Sequence, residues 1–199
     1  MHAYSNETAS RWRVIGVIAI LAVGVEYAAS DIVSLVSQKA GFSLATPSVF
    51  AIFAALYGAF SLLLWRFGAW FGMLSTADLN GTWKGELRSS YTNFDTGYPI
   101  TLRIDQNWDE IEVQVETEQS RSRSTSASLE CSAAETALTY TYQNDPYASA
   151  EEDMEAHEGT ARLRRVETDE LKGQYYTGKG RGRYGEIEVT RQSESWLPF

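Results

Sequence analysis

The sequence predicts an all-β, eight-stranded up-and-down β-barrel preceded by two transmembrane α-helices. Three observations predict it. Two long apolar runs occupy the first 77 residues, eight short segments with a two-residue period occupy residues 78–199, and no helical period appears among those segments. Charge divides at the same place. The first 77 residues hold four basic and three acidic groups; the chain totals of 17 and 26 then leave 13 basic and 23 acidic for 78–199, a balance of −10. A greasy, nearly neutral domain (1–77) and a polar, acidic one (78–199) are expected.

The first run, VIGVIAILAVGVEYAAS (14–30), carries Glu26 as its single charge. The second, SVFAIFAALYGAFSLLLW (48–65), carries none, and after Arg66 it resumes as FGAWFGML. Each approaches the roughly 20 residues that cross a hydrocarbon core of about 30 Å as a helix. A buried pair of helices in a soluble bundle competes with this reading. A signal peptide competes for the first run, but no small-residue cleavage site precedes a mature domain, and a second span follows. Arg11 and Arg13 flank the first run and Arg66 the end of the second, whereas the linker 31–47 has only Lys39 against Asp31. The positive-inside rule then places both termini and the barrel in the cytoplasm. Glu26 either snorkels to the outer interface or becomes a polar contact when helices associate. Trp65 and Trp70 are placed to anchor the membrane interface.

From residue 80 the period changes. TWKGELRSSY (82–91), YPITLRID (98–105), EIEVQVET (110–117), RSTSASLEC (123–131), TALTYTY (136–142), GTARLRRV (159–166), LKGQYYTG (171–178) and YGEIEVTR (184–191) alternate or are rich in Thr, Tyr, Val and Ile. Short polar links such as 107–109 and 167–170 join them, and one longer acidic link runs over 143–156. Even spacing favours a meander closed into a barrel. Alternation assigns the faces. Trp83, Leu87, Ser89 and Tyr91 point inward, as do Ile100, Leu102 and Ile104, then Ile111, Val113 and Val115. The fourth strand contributes Thr125, Ala127, Leu129 and Cys131, which leaves Ser122, Ser124, Ser126 and Ser128 outside. Leu138, Tyr140, Tyr142, Ala161, Leu163, Leu171, Tyr175, Ile187, Val189 and Arg191 complete the interior.

In an up-and-down barrel the start of the first strand meets the end of the last. Trp83 therefore faces Arg191, and a cation over the indole closes that end as a floor. The other end collects aromatics and cations despite the net negative charge. Tyr91, Tyr142, Tyr175 and Tyr176 are candidates to stack on nucleobases, and Arg123, Lys179, Arg181 and Arg183 to pair with phosphates, with Thr125 beside them. The stretch YYTGKGRGRYG (175–185) offers backbone amides for close approach to a phosphate. Read by itself, such a hairpin is more often a solvated turn than a ligand loop, and it lacks the spacing of a P-loop.

Other chemistries fare worse. An acidic domain repels polymeric DNA or RNA, which require a basic face. One cysteine, Cys131, allows no internal disulfide, and with His2 and His157 it forms no metal-ligand spacing. No cofactor is expected. His157 sits in the acidic run EEDMEAHEG, which would raise its pKa, but no nucleophile partners it, so no enzyme is expected. Two other binding modes stay open: a barrel that takes a lipid or other apolar molecule, and a filled barrel that serves only as a protein-interaction scaffold.

The stretch NGTWKG (80–85) carries a resemblance. Gly81 and Trp83 on the first strand, facing Arg191 on the last, are similar to the lipocalin-like barrels. Two transmembrane helices followed by that stretch and a β-rich domain resemble the effectors of bacterial cyclic-oligonucleotide antiphage systems. The resemblance covers the architecture of nearly the whole chain. It implies a partner nucleotidyltransferase that senses phage and makes a cyclic dinucleotide. The barrel would bind this messenger, the effector would oligomerise, and its helices would disrupt the bacterial inner membrane and kill the infected cell. The candidate binding residues above come from barrel geometry, not from the family.

Overall fold

The computed structural model describes residues 1–6, 10–41, 43, 45–70, 74, 76–132, 134–150, 154–178 and 181–192. The chain forms two compact units, Thr8–Ser75 and a second made of Met1–Glu7 together with Thr76–Phe199.

The first unit is helical. Helix α1 (Ser10–Ala40) is 31 residues long and outruns the expected 14–30. Past Asp31 the apolar spacing simply continues through Ile32, Leu35 and Val36, so much of the expected linker is helix. Helix α2 (Val49–Ala59) starts at Ser48, whose Oγ accepts the Ala51 amide at 3.2 Å. A π-helical turn (Phe60–Leu64) carries it into α3 (Trp65–Trp70). Two stretches, Arg11–Lys39 and Val49–Phe67, are long and apolar enough to cross a membrane, each with mean hydropathy 1.8. A helix from a soluble core hides its apolar side chains; here Ile20 is 74% and Phe50 84% exposed. Trp65, expected at the interface, is instead fully buried.

The second unit is the barrel. Strands β2 (Gly81–Ser89), β3 (Gly97–Gln106), β4 (Glu110–Glu116), β5 (Ser120–Cys131), β6 (Thr136–Pro146), β7 (His157–Glu167), β8 (Glu170–Thr177) and β9 (Tyr184–Arg191) each pair antiparallel with the next. Strand β9 closes on β2, so the eight form the expected closed meander. The inward-facing Trp83, Leu102, Ile104, Ile111, Leu138, Leu163, Leu171 and Val189 are all essentially inaccessible to water. At the floor, Trp83 Nε1 donates to the Leu79 carbonyl at 3.1 Å. The Arg191 guanidinium lies 4.5 Å from the indole ring centre and donates to the Asp78 carbonyl at 2.8 Å. The pairing expected across the closure is there.

Three features depart from expectation. The first is a ninth strand, β1 (His2–Asn6), so these residues belong to the barrel and not to the helical hairpin. Strands β4 and β5 pair only near their hairpin, from Gln114↔Arg123 to Glu116↔Arg121, and then diverge. Strand β1 fills the fork, antiparallel to β4 at Ile111 and parallel to β5 from Ala127 to Leu129. Five mostly polar residues carry no local period; Tyr4 sinks into the core, at 4% exposure. It is held by the buried Gln106, whose Nε2 donates to the Tyr4 hydroxyl at 3.3 Å and to the Ala77 carbonyl at 3.1 Å.

The second is a β-bulge between Ser124 and Ser126. An extra residue reverses the alternation. Ala127 and Leu129 keep their expected inward face, but ahead of the bulge Ser120, Ser122 and Ser124 turn in, and Arg123 and Thr125 turn out. The third is that β6 continues to Pro146, paired with Ser120, so Gln143, Asn144, Asp145 and Pro146 of the expected 143–156 link are strand.

Candidate functional site

Above the Trp83 floor the barrel is hollow. A cavity of about 390 Å³ opens at the end formed by the β2–β3, β4–β5, β6–β7 and β8–β9 connections. Its size is that of a small-molecule site.

Tyrosines line one side. Tyr142 and Tyr175 are each 8% exposed, and burial pushes both phenols above their ordinary pKa, so they stay neutral. Tyr98 and Tyr140 stand beside them. Tyr91, on a short 3-10 turn after β2, marks the rim with the Arg183 guanidinium 4.0 Å from its ring centre. Thr177 fixes the β8–β9 connection: its Oγ1 accepts the Arg183 amide at 2.8 Å and donates to the Arg183 carbonyl at 2.9 Å. That clamp sets Arg181 and Arg183 at the mouth. Arg181 donates to the Glu155 carbonyl at 3.1 Å and reaches Met154 Sδ at 3.3 Å. Its Nη1 also lies 3.2 Å from His157 Nδ1. None of these three partners carries a formal negative charge, so the guanidinium keeps its cationic field for an incoming anion.

His157 faces Tyr142 edge-on, ring centres 6.3 Å apart. Its Nδ1 lies 2.9 Å from the Glu155 carbonyl, which accepts from it when the proton sits there. Burial lowers the His157 pKa, and Arg181 and Arg183 push the same way against the Glu155 hydrogen bond. The expected upward shift is therefore reversed, by burial first and by the two arginines second.

Five candidate residues come together at this cavity: Tyr91, Tyr142, Tyr175, Arg181 and Arg183. Arg123 stands outside, where the bulge turns it, and pairs with Glu112 Oε1 at 3.0 Å. Thr125 is exposed at the bulge, its Oγ1 2.8 Å from Thr141 Oγ1. Tyr176 alternates with Tyr175 and so faces solvent, donating to Gln174 Oε1 at 3.0 Å. Lys179 lies outside the described residues. Sequence reasoning missed a polar wall made of Ser120 and Ser122 from β5 and Asn144 from β6. Continuing the inward alternation of Leu138, Tyr140 and Tyr142 by two residues would have found Asn144.

A family model of the Cap15 cyclic dinucleotide receptor domain matches residues 74–191. The matched stretch begins just before the floor residues and ends at Arg191, so it takes in all eight strands of the meander. CD-NTase-associated protein 15 of Yersinia aleksiciae is 32% identical over 144 residues, which is 70% of this chain and 67% of that protein. A closed meander with a hollow upper half, matched from floor to last strand, places this chain in the Cap15 cyclic dinucleotide receptor family.

Proposed function

We propose that the chain is a non-enzymatic membrane effector of antiphage defence whose barrel binds a cyclic dinucleotide made by a partner nucleotidyltransferase. Binding drives self-assembly, the helices disrupt the bacterial inner membrane, and the infected cell dies. The observation that carries the reading is a cavity that joins tyrosine faces to two rim arginines in a domain of strongly negative charge. A cyclic dinucleotide asks for both: bases stack on aromatic rings, and phosphodiesters pair with guanidinium groups. A lipid-binding lumen would be apolar to its mouth, whereas Arg181, Arg183, Asn144 and the β5 serines make this one polar.

The family and the name of the Yersinia relative support the messenger and its synthase. The exposed apolar helices support a bilayer partner. Strand β1 precedes the first apolar helix, β2 follows the second, and both join one sheet, which supports a hairpin whose two ends share one face of the membrane. Arg11 and Arg13 support the cytoplasmic side for that face. Assembly requires only that the ligand favour the assembled state over the resting one.

Calorimetry of the full chain in detergent micelles with a panel of cyclic dinucleotides tests the reading. We expect heat with at least one member, and a loss of roughly tenfold or more when Arg181 and Arg183 are both replaced by Ala, since each forms a charge-assisted contact. No heat from any member sinks the proposal. A fluorescence gain with apolar probes in its place would favour the lipid reading.

A further inference from the structure

We propose that Asn144 reads the edge of a nucleobase and thereby sets which cyclic dinucleotide the cavity accepts; this rests on the ligand class proposed above. The stacking tyrosines and the rim arginines hold a ligand without telling one base from another, because every base has an aromatic face and every nucleotide a phosphate. Discrimination needs a polar group that meets a base edge. Asn144 is such a group, on the cavity wall.

It ends a run of inward positions on β6 that is otherwise Leu138, Tyr140 and Tyr142, and it is 4% exposed. Its Oδ1 accepts from the Ser122 hydroxyl at 2.8 Å, and its Nδ2, also buried, has no hydrogen-bond partner among the described residues. A buried amide with an unpaired atom costs the empty protein stability, and such a cost persists where function needs the group. The serine hydroxyl can donate to the amide oxygen or accept from its nitrogen, and the terminal torsion of an asparagine is soft. Whichever atom Ser122 holds, the other is left unpaired; it is sealed from water at rest, and a turn about the soft terminal torsion presents it to the ligand. A carboxamide sets a donor beside an acceptor, and adenine, guanine and uracil edges each carry such a pair in a different place. Ser122, brought inside by the bulge, is the positioning residue.

The test is calorimetry of the full chain in micelles against cyclic dinucleotides carrying adenine, guanine or uracil in each pairing, together with thermal melts. For Asn144→Ala we expect affinity for the preferred ligand to fall roughly tenfold, with the preference over the poorest ligand narrowing by a similar factor. The melting temperature should stay level or rise, because the substitution deletes a half-unpaired buried group. Ser122→Ala keeps the amide but frees it, and should narrow the preference less. An unchanged order and ratio of affinities in Asn144→Ala overturns the inference. A lowered melting temperature with every affinity reduced equally overturns it too, because that is a structural role. A wild-type chain that binds nothing in the panel overturns the ligand class itself, and this inference falls with it.

Discussion

Tyr142 and Tyr175 reach across the cavity wall because each faces a glycine on the neighbouring strand, Gly159 and Gly185 respectively. A Cβ on Gly159 would strike the Tyr142 ring, and one on Gly185 would strike both the Tyr175 ring and the Arg88 carbonyl. Gly185, the last glycine of the stretch 175–185, thus makes room for a ring and does not cradle a phosphate. Gly185→Ala should cost about 1–3 kcal/mol by overpacking, read as a lower melting temperature; no change would remove the packing role. At the floor, Trp83→Ala loses a fully buried indole, its hydrogen bond to Leu79 and the Arg191 stack. A cost of about 3–5 kcal/mol is expected in denaturant titration of the full chain. His157 makes a pH prediction. Its folded pKa lies below the unfolded value of 6.5, so above pH 6.5 both states are neutral and folding is unaffected. As pH falls below 6.5 the unfolded chain takes the proton first, and stability declines until the folded pKa is reached. Melts from pH 7 downward should show this decline, and His157→Gln should abolish it.

At the scale of elements, the fork between β4 and β5 decides most. The Ser124 hydroxyl stands at its apex, accepting the Val113 amide at 2.9 Å and lying 2.7 Å from His2 Nε2. There the bulge sits, β1 enters, and the serine face turns inward. Without β1, the divergent parts of β4 and β5 would present unpaired edges, which are templates for another chain. Deleting residues 2–6 should therefore produce ligand-independent self-association on size exclusion, and Tyr4→Ala alone should cost about 3 kcal/mol. A monodisperse deletion variant of unchanged stability would show β1 to be ornamental. Barrel fragments that begin near residue 78 lack this strand, so studies of the site belong on the full chain.

At the scale of the whole molecule, one sheet receives the chain before the first apolar helix and again after the second. With both apolar helices spanning, as proposed, this puts their outer ends on one face of the membrane independently of charge. Tags at residue 1 and residue 199 should be digested together in membrane vesicles of one orientation and protected together in the other; protection of only one end would contradict the shared face.

What the sequence alone determined was local and periodic. Two-residue alternation marked eight strands and the inward faces of β2, β3, β4, β6, β7, β8 and β9. The up-and-down order then paired Trp83 with Arg191, because consecutive hairpins leave the first and last strands as neighbours. It also brought Tyr91, Tyr142, Tyr175, Arg181 and Arg183 to one mouth. Only the tertiary structure decided the rest. A bulge reverses every side chain ahead of it, and nothing in RSRSTSASLEC marks Thr125 as the extra residue. Strand β1 has no period of its own; it exists because two distant strands diverge and leave hydrogen-bonding edges to fill. Asn144 joins the wall because Ser120 and Ser122 supply a partner strand that overrides the turn preference of Asn-Asp-Pro. In each case the deciding interaction lies far away in sequence, and no local pattern encodes it.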